Sequence, residues 1–302
     1  MSNYLTTLKW RVDADWNNQL LRLFLREHCH ISKRALADIK FNGGLILRNK
    51  QEVTVRAFLQ EGDVVMVCLP IEEASLSVFP ELIQLDISYE DDHLLVINKK
   101  AGMPTIPSRE HPSGTLANAV LGYYKERHHQ ATFHAVNRLD KDTSGLLIVA
   151  KHRLAHDRLS KLQKEGKLLR FYTAIVSGYV TSDTGKIDAP IGRDPNSIIA
   201  RTVRENGKQA VTHFQVISRR SQKTLVEIKL ETGRTHQIRV HFTFIGHPLL
   251  GDDLYGGTRE DINRQALHCH QITFQHPFED RVLTIKQEIP EDMKNLLVTE
   301  EV

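Results

Sequence analysis

The residues with the clearest chemical potential lie between positions 134 and 151, where an aspartate stands between an arginine and a Thr-Ser-Gly turn. The aspartate is Asp140, and Arg138 precedes it by two positions. Ser144 and Gly145 supply turn chemistry, and the apolar residues 146–150 predict a buried strand of ordinary length. A loop that packs against a rigid strand is a common location for catalytic groups. The pattern therefore indicates a positioned carboxylate at Asp140.

Other kinds of site share parts of this pattern. Asp140 and Asp142 imitate the start of a calcium-binding loop, but Lys151 occupies the twelfth position, where that loop needs a bidentate glutamate. An aspartyl-phosphate phosphatase needs an apolar strand before its nucleophile, and residues 134–137 make a poor strand. A retaining glycosidase needs two carboxyl groups about 5 Å apart, and the spacing nominates no second one. An aspartate that only caps a turn is the remaining alternative.

Three further segments accompany this aspartate in a fixed order, at residues 89–105, 170–178 and 232–256. Together with the sequence Arg-Leu-Asp-Lys-Asp-Thr-Ser-Gly at residues 138–145, they resemble the RluA-type RNA pseudouridine synthases, whose signature is Arg-Leu-Asp-x-x-Thr-Ser-Gly. The resemblance covers about residues 89–290. Two positions depart from the family pattern. Lys100 replaces a usual proline and is expected to loosen a turn, and Asn137 replaces a frequent histidine and is expected to bear on which RNA is recognised.

The resemblance implies a role for four side chains. Asp140 is the essential carboxylate, acting either as a nucleophile or as the base that triggers elimination to a glycal. Tyr172 stacks on the uracil and helps to accept its C5 proton, since a phenol has a flat face and a polar tip; without the resemblance, it reads as a core aromatic on a strand. Arg239 is the ion-pair partner of Asp140. Arg138 fills the gap left by a uridine flipped out of structured RNA, a step that costs a few kcal/mol.

The implied activity is the isomerisation of specific uridines to pseudouridine in structured RNA. No cofactor is implied, because the reaction neither oxidises nor hydrolyses anything. RNA is the expected partner, with ribosomal RNA favoured over transfer RNA, and we expect neither a membrane nor an obligate protein partner. The main alternative is a non-catalytic RNA-binding protein on the same fold. A nucleosidase, which would release free uracil, is more distant.

The first 75 residues predict a small separate module. Leu20, Leu21, Phe24 and Leu25 follow helical spacing, and a second helix begins after a predicted N-cap at Ser32. A Gly-Gly pair at residues 43–44 ends that helix, and residues 45–47 and 64–67 predict strands. This order is similar to the α-L RNA-binding domain of a small-subunit ribosomal protein.

The predicted RNA contacts of this module lie at the start of its second helix. Lys33 and Arg34 stand where backbone N–H groups already favour an anion. Further cations extend this basic face, namely Arg26, Lys40, Arg48 and Lys50. The face therefore predicts phosphate contacts, although an ordinary solvated helix surface is the alternative.

The rest of the chain predicts a linker at residues 76–88 and one catalytic domain at residues 89–302. Residues 94–97, 225–230 and 282–285 predict strands, whereas residues 115–127, 152–165 and 235–246 predict helices. Many strands with few helices favour an α+β domain on a mixed, largely antiparallel sheet, the pseudouridine synthase fold.

Composition limits the location and class of the protein. The 302 residues carry a net charge of +3, with 40% hydrophobic and 25% charged residues, which is ordinary for a soluble globular protein. The three cysteines are widely spaced and form no CxxC motif, which predicts a reducing cytoplasm. We expect a cytoplasmic protein, because no apolar stretch approaches 18 residues and the first residues lack a signal pattern.

Several histidines invite a metal-site interpretation. They are His236, His241, His268, His270 and His276. The His-Cys-His sequence at residues 268–270 has no carboxylate or third histidine at the usual zinc spacing. We therefore predict no metal site.

Overall fold

The computed structural model describes residues 4–73, 77–220 and 222–298. Two sheets with their own hydrophobic cores contain most of the strands. The predicted boundary at residue 75 lies outside the described residues. Within the described part of the chain, no helix combines the length and the hydropathy that a membrane crossing requires.

The N-terminal module is built on a four-stranded antiparallel sheet. Its elements are β1 (Thr6–Arg11), α1 (Leu21–Leu23), α2 (Lys33–Phe41), β2 (Leu45–Arg48), β3 (Gln51–Glu52) and β4 (Val64–Leu69). The strand order is β1–β4–β2–β3. Ser32 caps α2, because its Oγ accepts a hydrogen bond from Ala35 N at 3.1 Å. Gly43 follows the helix with a φ of 90°, which glycine adopts readily. The predicted second helix, its cap and the two strands are confirmed.

Two parts of the module differ from the sequence-based prediction. The first helix is an α-turn that continues as a π-helical turn over Phe24–His28, where the rings of Phe24 and His28 stack with centroids 4.8 Å apart. Strand β1 is not predicted by the sequence. Leu8 is its one buried residue, so the strand carries almost no alternating apolar signal.

The second sheet has ten strands. Their bounds are β5 (Ile87–Glu90), β6 (Leu94–Lys99), β7 (His134–Ala135), β8 (Ser144–Ala150), β9 (Leu169–Ser177), β10 (Thr184–Asp188), β13 (Val211–Arg219), β14 (Lys223–Leu230), β15 (Leu267–Gln275) and β16 (Val282–Lys286). The strand order is β10–β13–β14–β9–β15–β8–β6–β5, with β16 beside β15 and β7 beside β8. Strands β11 (Ile191–Arg193) and β12 (Arg201–Val203) form a separate ribbon. Among the described pairs, β8 with β15 is the parallel one. The predicted mixed, largely antiparallel α+β fold is confirmed.

Four helices accompany this sheet: α3 (Leu116–Glu126), α4 (Arg153–Lys164), α5 (Gln237–Phe244) and α6 (Glu291–Val298). The first three lie within the predicted spans, whereas α6 is not predicted by the sequence. Strand β5 starts two residues before the predicted domain start at residue 89. Part of the predicted linker also contacts α3, because Glu81 N donates to Asn118 O at 3.0 Å.

The N-terminal module packs directly against α4. Leu154 of α4 belongs to the hydrophobic core of the module, and Phe278 packs against the cores of both sheets. The guanidinium of Arg158 lies 4.2 Å from the centre of the Phe278 ring. It also donates to the carbonyls of Pro277, at 2.6 Å, and Cys29. One face of α4 therefore joins the two parts of the molecule.

Candidate active site

Asp140 lies in the loop between β7 and β8, just before β8 enters the core. All of β8 is buried. At its second position, Gly145 has a φ of 111°, and a Cβ there would lie 2.3 Å from Cys269 O. Only glycine fits where β8 pairs this closely with β15. The sequence predicts a turn at Ser144 and Gly145, but both residues form the start of β8, and the loop that carries Asp140 ends there.

The backbone of this loop is held at four successive residues. Each carbonyl of residues 139–142 accepts a hydrogen bond from a different donor. The donors are Thr105 Oγ1 to Leu139 at 2.7 Å, Thr143 N to Asp140 at 3.1 Å, Lys99 Nζ to Lys141 at 2.9 Å and Arg264 Nη1 to Asp142 at 3.3 Å. A loop backbone that is held in this way keeps the side chain of Asp140 in one geometry.

Lys99, at the end of β6, is a site residue that the sequence does not predict. Its ammonium donates to the carbonyls of Lys100 at 2.9 Å, Met103 at 2.8 Å and Lys141 at 2.9 Å. Burial lowers the pKa of Lys99 to about 7. An ammonium has three donors, so these carbonyls use all of them. Lys99 therefore holds the loop through its carbonyl at Lys141 and has no N–H left to donate to a substrate.

Arg239, in the first turn of α5, joins two carboxylates. Its Nη1 lies 3.2 Å from Asp140 Oδ2, while its Nε and Nη2 donate to Asp252 at 2.7 and 2.8 Å. The side chain of Asp252 is fully buried. Burial would lower the pKa of Arg239, but hydrogen bonds and charge from Asp252 and Asp140 raise it above its ordinary value. Arg239 therefore stays charged, with its planar fork fixed on Asp252 and one edge aimed at Asp140.

The two carboxylate oxygens of Asp140 have different surroundings. Oδ2 contacts Arg239 and also lies 3.9 Å from His236 Nε2. Within the described residues, no hydrogen bond to Oδ1 is present. The side chain is 25% exposed. One oxygen is thus held by the protein, whereas the other is available to a substrate.

Tyr172 lies on β9, in register with Cys269 of β15 and hydrogen-bonded to its side chain. It is buried. Burial raises the pKa of Tyr172, and the nearby charge of Asp140 contributes to the rise. The phenol therefore keeps its own proton at neutral pH, and its ring belongs to the hydrophobic core of the large sheet.

Arg138 and Asn137 point in different directions. Arg138 is exposed. Asn137 is 3% exposed, and its Oδ1 accepts a hydrogen bond from Ile148 N at 2.9 Å. The side chain of Asn137 therefore supports β8 from inside the domain and is not exposed for direct contact with RNA; its effect on RNA recognition stays a prediction.

Gln237 holds the segment at residues 232–237 in place through its side-chain amide. The amide of Gln237 accepts from Thr232 Oγ1 and Arg234 N and donates to Val211 O and Thr212 Oγ1, at 2.8 to 3.0 Å. These bonds fix the start of α5 against β13. His236, just before, lies beside Asp140, and the sequence predicts neither it nor Asp252 as a site residue. Both stand in the quoted motif segments, but only the fold shows what they contact.

The histidines considered for a metal have protein partners. The pairs are His241 with Thr212 Oγ1 at 2.8 Å, His268 with Ser144 Oγ at 2.9 Å, His270 with Thr173 Oγ1 at 3.0 Å and His276 with Asp91 Oδ2 at 2.9 Å. Within residues 4–73, 77–220 and 222–298, no cluster of three or more His, Cys, Asp or Glu side chains is arranged to hold a metal ion.

Lys33 and Arg34 are exposed at the start of α2. Neither side chain forms an ion pair or a hydrogen bond with any residue that the structure describes. Arg48, by contrast, donates to Phe58 O at 2.6 Å and lies 3.9 Å from Asp63. The basic face therefore has fewer unpaired cations than the sequence suggests, because Arg48 is bonded to other residues of the protein.

Comparisons with known proteins agree with the fold and identify the family. Residues 93–244 match the family model for RNA pseudouridylate synthase. An uncharacterized RNA pseudouridine synthase of Bacillus subtilis, YjbO, is 51% identical over 88% of this chain and 94% of its own length. The ribosomal large subunit pseudouridine synthase D of Nitrosomonas europaea is 41% identical over 78% of this chain and 71% of its own.

A solved structure gives the same result. Human RNA pseudouridylate synthase domain containing 1 superposes with a TM-score of 0.57 at 26% identity, over 69% of this chain and 84% of that one. This chain therefore belongs to the RNA pseudouridine synthase family. It is an isomerase that acts on RNA, converting uridine to pseudouridine.

Proposed function

We propose that this enzyme modifies specific uridines of structured ribosomal RNA and that Asp140 is its essential carboxylate. The observation that carries the proposal is the placement of this carboxylate. Its backbone is held at four successive carbonyls, and its Oδ2 lies 3.2 Å from an arginine that Asp252 orients. A group that only capped a turn would need neither a buried cation nor this support.

The reaction explains why such a carboxylate is needed. The N1–C1′ bond of uridine breaks, the uracil turns, a C5–C1′ bond forms, and the proton on C5 is lost. Asp140 starts the process either by attacking C1′ or by removing a sugar proton. Both routes use an ionised carboxylate with an accessible oxygen, which fits Oδ1. Arg239 holds the other oxygen.

We assign supporting roles to the neighbouring side chains. Tyr172 offers an aromatic ring to the uracil; its raised pKa argues against a role as the acceptor of the C5 proton. Arg138 is exposed beside the loop, so it is available to occupy the space of a flipped uridine. Lys33 and Arg34 contact phosphates away from the reacting base, because both are exposed cations without a described protein partner.

Ribosomal RNA is the substrate that a relative supports, since the 41% identical protein of Nitrosomonas europaea is described as a ribosomal large subunit enzyme. Transfer RNA is the alternative. We place the reaction in the cytoplasm. Cys29, Cys68 and Cys269 are buried free thiols, which is consistent with a reducing compartment.

The direct test is Asp140→Asn, which keeps size and hydrogen bonding but removes the charge. We expect pseudouridine formation to fall below a few per cent of wild type while RNA affinity changes less than about threefold, in single-turnover assays and binding titrations. Asp142→Asn is the matched control, because its carboxylate forms no hydrogen bond with a described residue; its rate should stay within a few-fold of wild type. Substantial activity in Asp140→Asn would reject the assignment.

The substrate is tested by mapping pseudouridine in ribosomal and transfer RNA from cells with the gene, without it, and complemented with the Asp140→Asn variant. We expect one or more ribosomal sites to disappear and to return only with the wild-type gene. Loss confined to transfer RNA would overturn the ribosomal assignment.

A further inference from the structure

His236 lies next to Asp140 in an unusual backbone conformation. Its φ is 57°, in the left-handed region that non-glycine residues rarely adopt. It immediately precedes α5, and its side chain is 15% exposed. Strained residues of this kind concentrate at functional sites. The conformation places the ring between Asp140 and Tyr255, with Nε2 on the Asp140 side.

The hydrogen bonds of Tyr255 determine which nitrogen of His236 carries a proton. The hydroxyl oxygen of Tyr255 accepts from Arg201 N at 2.8 Å and lies 2.8 Å from His236 Nδ1. Burial raises the pKa of Tyr255, so the hydroxyl keeps its hydrogen. Of the two partners that the described residues give this hydroxyl, the Arg201 N–H can only donate. The hydroxyl hydrogen is therefore free to point at His236 Nδ1, which then acts as its acceptor.

The charge state of His236 follows from its surroundings. Burial lowers the pKa of His236. The negative charge of Asp140 acts to raise this pKa, whereas the positive charges of Arg239 and Arg201 lower it further. The imidazole is therefore neutral at neutral pH. With Nδ1 occupied as an acceptor, a neutral ring carries its hydrogen on Nε2. That N–H faces Asp140 Oδ2 across 3.9 Å.

We propose that His236 is a positioning residue for Asp140, and that the chain Arg201 N–H, Tyr255 O–H, His236 Nε2–H sets its tautomer. The opposite tautomer would direct the Nε2 lone pair at the carboxylate and repel it. A neutral donor orients Oδ2 and adds no second full positive charge beside Arg239. A second positive charge would make the carboxylate less reactive. Hydrogen bonds of catalytic groups are often long without substrate, and we expect this 3.9 Å contact to shorten when RNA binds. The inference rests on the proposed role of Asp140.

The first experiment compares His236→Gln with His236→Asn. Both variants carry a neutral amide, but the longer Gln side chain brings its N–H near the position of Nε2, whereas Asn reaches only to Nδ1. Asn also tolerates the left-handed conformation well, so misfolding does not explain its loss. We expect His236→Gln to keep at least a tenth of the single-turnover rate and His236→Asn to fall about a hundredfold, with RNA affinity unchanged in both. Equal rates in the two variants would overturn the proposal.

The second experiment tests the tautomer chain with a double-mutant cycle. Tyr255→Phe removes the hydroxyl but keeps the ring, whose centre lies 4.9 Å from the Arg239 guanidinium. It should slow the wild-type enzyme about tenfold and have no further effect on His236→Gln, because an amide has no tautomer to set. A tenfold loss in both backgrounds would mean that Tyr255 acts independently of His236.

Nitrogen-15 NMR of the histidine ring provides a readout that does not depend on activity. We expect the wild-type protein to show a protonated Nε2 and an unprotonated Nδ1 at His236, and Tyr255→Phe to show a mixture of tautomers. A protonated Nδ1 in the wild type would overturn the inference even if Asp140 is essential. If Asp140→Asn were active, the proposed function would fail while the tautomer result stood, so the two failures are distinguishable.

Discussion

The catalytic loop and the start of α2 use charge in opposite ways. Around Asp140, the cations Lys99 and Arg239 are buried, and their described hydrogen bonds all go to a carbonyl or a carboxylate. At the start of α2, Lys33 and Arg34 are exposed and have no partner among the described residues.

The difference follows from what each region must do. A reacting group must sit in one geometry before the substrate arrives, and buried charges can do this because each is paired where water screens little. Phosphate binding needs cations that water can reach and that can replace the counterions condensed on the RNA. Mutations in the first region should therefore change rate and stability, and mutations in the second should change affinity and its salt dependence.

The largest effect should come from Asp252→Asn, which removes the carboxylate that orients Arg239. Breaking a buried pair from one side costs about 3–5 kcal/mol, so we expect a clear loss of stability in urea denaturation. We also expect the single-turnover rate to fall at least about a hundredfold, because the Nη1 edge loses its aim at Asp140. Asp253→Asn is the matched control: its carboxylate is exposed and pairs with Arg259 at 2.8 Å, and surface pairs contribute little. A normal rate in Asp252→Asn would show that Arg239 needs no orienting partner.

A smaller effect should come from Glu72, which lies between the two regions. Its carboxylate contacts His134 Nε2 at 2.6 Å and accepts from Arg153 N at 2.8 Å. Burial would raise the pKa of Glu72, but the bonds with His134 and Arg153, together with one from Thr132, lower it to about 2 from an ordinary 4.5. A carboxyl with a depressed pKa stabilises the fold above pH 4.5 and loses this contribution as pH falls towards 2.

We therefore expect Glu72→Gln to lower the free energy of unfolding by about 1–3 kcal/mol at pH 7. The difference from wild type should shrink as pH falls from 4.5 to 2 in urea titrations. The neighbouring Glu73→Gln is the control, because Glu73 is exposed and should show no difference at any pH. A difference that stays constant with pH would contradict the assignment.

The smallest effect should come from Lys33→Ala combined with Arg34→Ala. Each lost phosphate contact reduces the log–log salt slope of binding by about 0.7 to 0.9, so the pair should reduce it by up to about 2 and weaken binding about tenfold. Short substrates that do not reach the module should react at the normal rate.

Lys125→Ala combined with Lys164→Ala provides the comparison for that pair, since both lysines are exposed at the ends of other helices. An equal fall in slope for the two double variants would mean that α2 contributes net charge rather than specific contacts.

Much of this arrangement can be predicted from the sequence, because local patterns encode it. Apolar runs predict the central strands, and the cap at Ser32 marks the start of α2. The resemblance carried by the ordered motifs points to Asp140 and Arg239, whose side chains the fold brings within 3.2 Å of each other. The strand and cap signals lie within a few residues of each other, so chain neighbours are sufficient to recognise them.

The remainder depends on contacts between distant parts of the chain. Lys99 donates to Lys141 O, 42 positions further along the chain. Asp252 accepts from Arg239 of α5, 13 positions away. No spacing rule predicts which buried polar side chains will pair, and a buried Lys looks the same as an exposed one in sequence. Asn137 shows the same difficulty: a polar residue beside a catalytic loop suggests recognition, but its side chain is buried and accepts a hydrogen bond from the backbone of β8.

The packing of α4 against both hydrophobic cores has a consequence for target selection. Because Leu154 and Arg158 hold the module in place, the basic start of α2 and Asp140 lie at a set separation. An RNA that is bound at both points must span that separation with its own three-dimensional structure. If RNA binds at both points as we propose, a helix in the RNA that is longer or shorter by one base pair would present a different nucleotide to the carboxylate.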